Sequence, residues 1–180
     1  MTILEEITAY AHDCIDGDLR EKSGKKHRWA CMRLLRDIGR VGSDGFPYVW
    51  DEERAQSIVD WFTYLRHSKG VLAGTPIYLT TWQKFRICQI YGWVHKDTGR
   101  RRFRKSYTQV GRKNAKSQEE AGIALCEIAL YRKPAADQRG SHKRQSGPLS
   151  NFIHKCFAFL SFRHYAPALK VLKKHSALRA

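Results

Sequence analysis

The stretch Arg102–Glu127 decides the fold, and it reads RFRKSYTQV at 102–110, GRKNAKS at 111–117 and QEEAGIALCE at 118–127. The first part is typical of a β-strand, the second of a small polar turn, and the third is rich in helix-forming residues. A strand, a turn ending in Lys-Ser and a helix together hold nucleoside triphosphates, because backbone N–H groups and the helix N-terminus bind phosphate oxygens. The stretch therefore predicts an α/β fold of the P-loop type.

The turn departs from the common phosphate-loop pattern G-x-x-x-x-G-K-[ST]. Ala115 stands where the second glycine is expected, Val110 stands where the first is expected, and Gly111 is displaced by one position. In the phosphate-binding interpretation, Lys116 reaches the β- and γ-phosphates and the hydroxyl of Ser117 is a ligand of Mg²⁺. The alternative is a basic loop between a strand and a helix, with its charges in water.

Composition fits one folded domain. The chain has 180 residues, of which 42% are hydrophobic and 12% aromatic. Its five cysteines are scattered without the spacing of a zinc site or a disulfide framework, which indicates reduced thiols of a cytosolic protein: they are Cys14, Cys31, Cys88, Cys126 and Cys156. Neither a signal peptide nor an apolar run of membrane-spanning length is predicted.

The net charge of +16 is uneven, since residues 131–180 contain 11 Lys or Arg and one acid, Asp137. This balance suits a polyanion such as DNA or RNA. A small basic nucleic-acid-binding protein is therefore one possible class. A membrane-surface helix is disfavoured, because Pro167 interrupts the apolar residues of the tail.

Apolar spacing predicts four helices ahead of a basic strand at 100–110. The helices are predicted at 2–16 with Thr2 and Glu5 as a capping box, at 25–38 with Trp29, Met32 and Leu35 inward, at 51–66 with Asp51 as cap, and at 80–94. The cluster at 100–105 either faces DNA or phosphate, or is the solvated face of an edge strand.

Several segments between residues 8 and 131 resemble the N-terminal part of the large terminase subunit of tailed double-stranded DNA phages. They are DGFPYVWDEERA at 44–55, RHSKG at 66–70, LTTWQKF at 79–85, YGWV at 91–94, TGRRRFRK at 98–105 and GRKNAKS at 111–117. Their order and spacing are more specific than the phosphate loop alone. The loop of that family is itself a deviant Walker A sequence.

The resemblance implies an ATP-driven motor that packages phage DNA into a procapsid, with an ATPase domain followed by a metal-dependent nuclease domain. It implies ATP and Mg²⁺ as cofactors. The implied partners are double-stranded DNA, the small terminase subunit and the portal protein, with no membrane. The implied location is the cytoplasm of a bacterial host, with the gene encoded by a phage or prophage.

The same resemblance implies the site residues. The ATP-binding set is Gly111, Arg112, Lys113, Asn114, Ala115, Lys116, Ser117 and Gln83, with Ser117 also the metal ligand and no catalytic residue assigned. Gln83 is expected to recognise adenine, and the alternative is an exposed helix glutamine. Because alanine resists positive φ, it is an open question whether the loop closes around phosphate with Ala115 in place of glycine.

Three regions are predicted: a helical N-terminal region at 1–75, the start of a P-loop ATPase domain at 76–131, and a basic tail at 132–180 that is either out of frame or disordered. After Ser117 the chain has only four acids, Glu119, Glu120, Glu127 and Asp137. None ends a buried strand, so neither a Walker B acid nor a two-metal nuclease cluster is predicted.

The expectation is therefore a truncated and inactive terminase fragment in which Leu125 and Ile128 lack packing partners. The alternatives are the nucleic-acid-binding protein above and a docking module for other packaging proteins.

Overall fold

The computed structural model describes residues 1–68 and 70–128. Their elements, in chain order, are α1 (Ile3–Ile15), α2 (Lys25–Gly39), β1 (Tyr48–Trp50), α3 (Glu52–Tyr64), α4 (Thr81–Gly92), β2 (Trp93–His95) and α5 (Lys116–Cys126). The chain forms two compact units. The first contains residues 1–60 and 78–108, and the second contains 61–77 and the described residues from 109 onward.

Helix α1 begins as the sequence predicts. The side chain of Thr2 accepts a hydrogen bond from the Glu5 amide, and the Glu5 carboxylate accepts one from the Thr2 amide, which completes a capping box. The predicted stripe is buried at Ile3, Ile7, Ala11 and Cys14. This face packs against α2 and α4, which forms the helical layer of the first unit.

Helix α2 forms where predicted, but the predicted inward face is wrong. Trp29 is 55% exposed and Met32 is 45% exposed, whereas Cys31 and Leu34 are fully buried. The buried stripe is rotated around the helix, to the side on which Cys31 lies near Cys14 of α1. The large side chains of Trp29 and Met32 therefore did not identify its core face.

A two-stranded antiparallel sheet joins β1 to β2, with Val49 opposite Val94 and Trp50 opposite Trp93. The predicted helix at 80–94 therefore stops at Gly92, and its last two residues are in β2. Asp51 caps α3 as expected, since its Oδ1 accepts from the Arg54 amide at 3.0 Å. That helix ends at Tyr64, two residues before the predicted end.

The first unit contains a buried ion pair that the sequence did not reveal. Asp37 on α2 is 1% exposed, and its Oδ2 accepts from Arg102 Nη1 at 2.8 Å. The Arg102 guanidinium also lies about 5 Å from the ring centroids of Phe46 and Tyr48. Both interpretations of the 100–105 cluster, polyanion contact and solvated edge strand, are therefore wrong for Arg102.

The predicted strand at 100–110 is wrong. Arg101 makes an isolated antiparallel bridge with Val94, and residues 103–110 have no regular secondary structure. A parallel strand must pair its backbone N–H and C=O groups with neighbouring strands, and the described residues supply no parallel neighbour. Arg104 and Lys105 are accordingly exposed.

Helix α5 is well packed in the second unit, so the expectation that it lacks partners is wrong for Leu125. Ala121, Leu125 and Cys126 are buried. The Trp61 indole N–H donates to the Gly122 carbonyl at 3.0 Å, which ties α5 to the end of α3. The tail predicted at 132–180 lies outside the described residues, and within them no helix has the length and apolarity to cross a membrane.

Gly122 allows this close packing, because a Cβ there would lie 2.5 Å from Phe62 Cε1 and 3.0 Å from Leu65 Cδ1. In an open helix, Gly to Ala stabilises by about 1 kcal/mol. Here overpacking against the buried Phe62 ring costs more, so we expect Gly122→Ala to lower the unfolding free energy by about 1–2 kcal/mol in urea denaturation.

Gly39→Ala at the end of α2 is the matched control for Gly122→Ala, because nothing lies within 4 Å of its Cβ position. This control should be neutral or stabilising. Adding Phe62→Leu to Gly122→Ala should restore part of the lost stability. A stabilised Gly122→Ala protein would contradict the packing described for α5.

Candidate nucleotide-binding site

The loop 111–115 leads directly into α5, whose first residues are Lys116 and Ser117. Its conformation depends on two left-handed residues, Lys113 with φ 67° and Ala115 with φ 53°. This region of backbone space normally favours glycine. Ala115 is the N-cap of α5 in that conformation, so the alanine does not prevent the turn from forming.

The Asn114 side chain stabilises the loop by hydrogen bonds to the loop's own backbone. Its Nδ2 donates to the carbonyl oxygens of Gly111, at 3.2 Å, and Arg112, at 3.3 Å. These bonds occupy two carbonyl groups of the turn. Among backbone hydrogen bonds of the described residues, the first α5 donor is the Glu119 amide, which reaches the Ala115 carbonyl at 3.0 Å.

The backbone donors and the local charge fit a polyphosphate. The N–H groups of residues 115–118 make no backbone–backbone hydrogen bond in the part of the chain that the structure describes. Residues 111–117 are all exposed, and three of them are cations: Arg112, Lys113 and Lys116. A helix N-terminus with free N–H groups and adjacent cations attracts oxyanions.

Contacts from the rest of the second unit fix the start of α5. In the first turn of α5, Gln118 Nε2 lies 3.0 Å from His67 Nδ1. His67 is held in turn, because its amide donates to the Thr75 carbonyl at 3.0 Å. These contacts hold the first turn of α5, which directly follows the left-handed turn of the loop. Sequence reasoning missed His67 and Trp61 because nothing in their spacing relates them to the loop.

Gln83 lies elsewhere, on α4 in the first unit. It is 7% exposed, and its Oε1 accepts from the Thr80 amide at 3.0 Å and from the Thr80 hydroxyl at 2.8 Å. The glutamine therefore completes the capping box of α4. The alternative of an exposed helix glutamine is wrong, and recognition of adenine by Gln83 stays a prediction.

The left-handed backbone of Ala115 predicts that a glycine at this position stabilises the protein. The αL conformation costs an alanine about 1–2 kcal/mol, and glycine loses about 0.4–1 kcal/mol more chain entropy on folding. We therefore expect Ala115→Gly to raise the unfolding free energy by about 0.5–1 kcal/mol, measured by urea denaturation monitored through tryptophan fluorescence.

Ala124→Gly is the matched control for Ala115→Gly, since Ala124 is a half-buried residue inside α5. There the same substitution should lower stability by about 1 kcal/mol. Equal destabilisation by the two substitutions would show that residue 115 does not have a left-handed backbone in solution.

Comparison with known proteins gives one match. Residues 81–157 match the family model described as "Terminase large subunit, ATPase domain", which is fewer than half of the chain's residues and includes α4, the loop and α5. No curated protein and no solved structure matches the chain. The matched segment continues past 131, into the predicted tail. The resemblance drawn from the sequence motifs is thus confirmed: over residues 81–157 the chain is similar to the ATPase domain of the terminase large subunit.

Proposed function

We propose that residues 111–117 are a deviant Walker A loop that binds Mg-ATP in a terminase-type DNA-packaging motor. The observation that supports this most is the left-handed turn at Lys113 and Ala115, followed at once by the exposed Lys116 and Ser117 at the start of α5. Backbone N–H groups, three cations and a hydroxyl at one helix N-terminus match the needs of a triphosphate and its magnesium ion.

Four of the seven loop residues have a distinct task in this proposal. The Lys116 ammonium neutralises charge on the β- and γ-phosphates, and the Ser117 hydroxyl is a magnesium ligand. Arg112 contacts a phosphate oxygen through its guanidinium. Asn114 keeps the loop open by holding the carbonyl groups of Gly111 and Arg112 away from the phosphates. Mg²⁺ held by the Ser117 hydroxyl would supply further neutralisation of the phosphate charge.

We further propose that these 180 residues alone do not hydrolyse ATP. Hydrolysis needs an acid at the end of a buried strand to hold the magnesium water and orient the attacking water. Glu119 and Glu120 are the first acids after the loop in the sequence, and both lie on α5. Glu119 is only 4% exposed. The small terminase subunit, the portal protein and double-stranded DNA are proposed partners of the whole motor, which works in the cytoplasm of a bacterial host.

Calorimetry and a phosphate-release assay on the full chain together test this proposal. We expect binding of one MgADP or MgATP per chain and no phosphate release above the protein-free rate. Omitting Mg²⁺ should weaken binding. Phosphate release that Lys116→Ala abolishes would contradict the inactivity, and absence of nucleotide binding by a folded chain would contradict the site.

One observation favours a second function, binding of nucleic acid by the chain itself. Arg104 and Lys105 are exposed beside Tyr107, which is 84% exposed, in a segment without regular structure. Cations interleaved with an exposed aromatic ring suit a nucleic-acid strand. DNA affinity that falls steeply with salt, and that Lys116→Ala leaves unchanged, would support this function. Affinity that Arg104→Ala with Lys105→Ala leaves unchanged would argue against it.

A further inference from the structure

Three metal-ligand side chains meet where α1 packs against α2 in the first unit. Cys14 comes from the last turn of α1, and His27 and Cys31 come from one face of α2, a single turn apart. Their ligand atoms, two Sγ and one imidazole nitrogen, all lie within 4.8 Å of one another. Both cysteines are fully buried and His27 is half-buried.

The surroundings of this Cys-His-Cys cluster are apolar and aromatic. The Phe85 ring centroid lies 5.2 Å from that of His27. The Tyr10 hydroxyl lies 3.1 Å from His27 Nε2. The described residues supply no carboxylate to the cluster. A cation bound here would therefore be neutralised by the two sulfur atoms alone.

Burial raises the pKa of the Cys31 thiol to about 12, and the nearby Cys14 sulfur adds to this shift because two thiolates repel each other. Burial also lowers the pKa of His27, with a further contribution from the Arg86 charge. The Cys31 thiol is thus protonated and the imidazole of His27 is neutral at pH 7. Neutral imidazole is the form that binds a metal ion.

We propose that Cys14, His27 and Cys31 form a zinc-binding site that fastens α1 to α2. Zn²⁺ prefers thiolate and imidazole ligands, and two thiolates cancel its charge in this apolar setting. On binding, the two thiols release two protons to solvent and the ion forms two Zn–S bonds and one Zn–N bond. A water molecule takes the fourth position.

The geometry needs only a small adjustment. Bonds of about 2.3 Å to sulfur place two sulfur ligands of a tetrahedral zinc ion about 3.8 Å apart. The present separations of up to 4.8 Å therefore close by about 1 Å, which rotation of the cysteine side chains can supply. If zinc binds Nε2 of His27, the ion replaces the hydrogen bond to Tyr10, so Tyr10→Phe should retain the site.

Cobalt titration of the full chain tests the proposal directly. The protein is reduced with a phosphine, stripped of metal by a chelator and titrated with Co²⁺, and Zn²⁺ is then added as a competitor. We expect one Co²⁺ per chain, with the visible bands of a tetrahedral ion and the near-ultraviolet band of thiolate-to-cobalt charge transfer. Zinc should displace the cobalt and raise the melting temperature.

Substitutions locate the site. Cys14→Ser, Cys31→Ser and His27→Gln should each weaken Co²⁺ binding by more than the ~10- to 100-fold that loss of a residue outside the ligand set costs. The matched controls are Cys88→Ser, a buried thiol outside the cluster, and His12→Gln, an exposed histidine on α1, and both should bind as the wild type does. Equal binding by Cys14→Ser and the wild type would overturn the proposal.

One measurement uses the wild type alone, so it does not depend on whether Cys14→Ser and Cys31→Ser fold. X-ray absorption of the zinc-loaded wild type should show sulfur ligands at about 2.3 Å together with nitrogen or oxygen at about 2.0 Å. A spectrum of nitrogen and oxygen ligands alone would overturn the proposal. So would a reduced, folded chain that binds neither metal.

Discussion

Replacing Lys116 by alanine is expected to weaken MgADP binding by about ten- to hundredfold. Hydrogen bonds between a charged donor and a charged acceptor contribute about 1.5–3 kcal/mol, which corresponds to this range of affinity. Lys116 is the first residue of α5 and is exposed. Its removal should therefore leave the fold and melting temperature close to those of the wild type. Calorimetric titration measures the change.

Two controls make the Lys116 result specific. Lys96→Ala removes one exposed cation from the turn after β2 and should leave nucleotide affinity unchanged. Lys116→Arg retains the charge but replaces a compact ammonium by a planar guanidinium, so its nucleotide affinity should lie between those of Lys116→Ala and the wild type. If Lys96→Ala and Lys116→Ala weaken binding equally, the nucleotide is held by overall charge and the loop is not its site.

Asp37→Asn is expected to lower the unfolding free energy by about 3–5 kcal/mol. The substitution keeps the size of the side chain but removes the carboxylate that pairs with Arg102 at 2.8 Å. The Arg102 side chain is 16% exposed and Asp37 is 1% exposed, so an uncompensated charge would remain buried. Arg36 and Arg40 lie within 3.8 Å of the same carboxylate and would lose their partner too.

Asp16→Asn is the matched control for this buried pair. Asp16 also faces an arginine, Arg20, at 3.4 Å, but the two side chains are 76% and 59% exposed. An exposed pair of this kind contributes at most about 0.5 kcal/mol. Urea denaturation of both variants should therefore separate them clearly. Similar, small losses from both substitutions would show that Asp37 and Arg102 are not paired in the interior in solution.

Local signals identified most helices. Thr2 with Glu5 and Asp51 with Arg54 are capping contacts between residues three apart, so the sequence contains all the information they need. The phosphate-loop candidate was found in the same way, as a contiguous stretch. The loop pattern also indicated positive φ at 115, where a glycine is expected, and left open whether an alanine could adopt it; the positive φ of Lys113 was not foreseen.

Long-range contacts were not predictable from local pattern. Asp37 and Arg102 are 65 residues apart, and each by itself is typical of a solvated charge. The exposed Trp29 shows the same limit, since helical spacing fits more than one face and packing against α1 selects between them. The Cys-His-Cys cluster had only the spacing of His27 and Cys31 as a signal, because Cys14 comes from another helix.

The most direct test of the account is the position of bound nucleotide, measured by the amide chemical shifts of the isotope-labelled chain during a MgADP titration. The N–H groups of 115–118, which make no backbone–backbone hydrogen bond among the described residues, point to the result. We predict that the largest shift changes fall on the amides of residues 111–119 and disappear in Lys116→Ala. Changes confined to other residues, or none at saturating MgADP, would contradict the assignment of this loop as a nucleotide site.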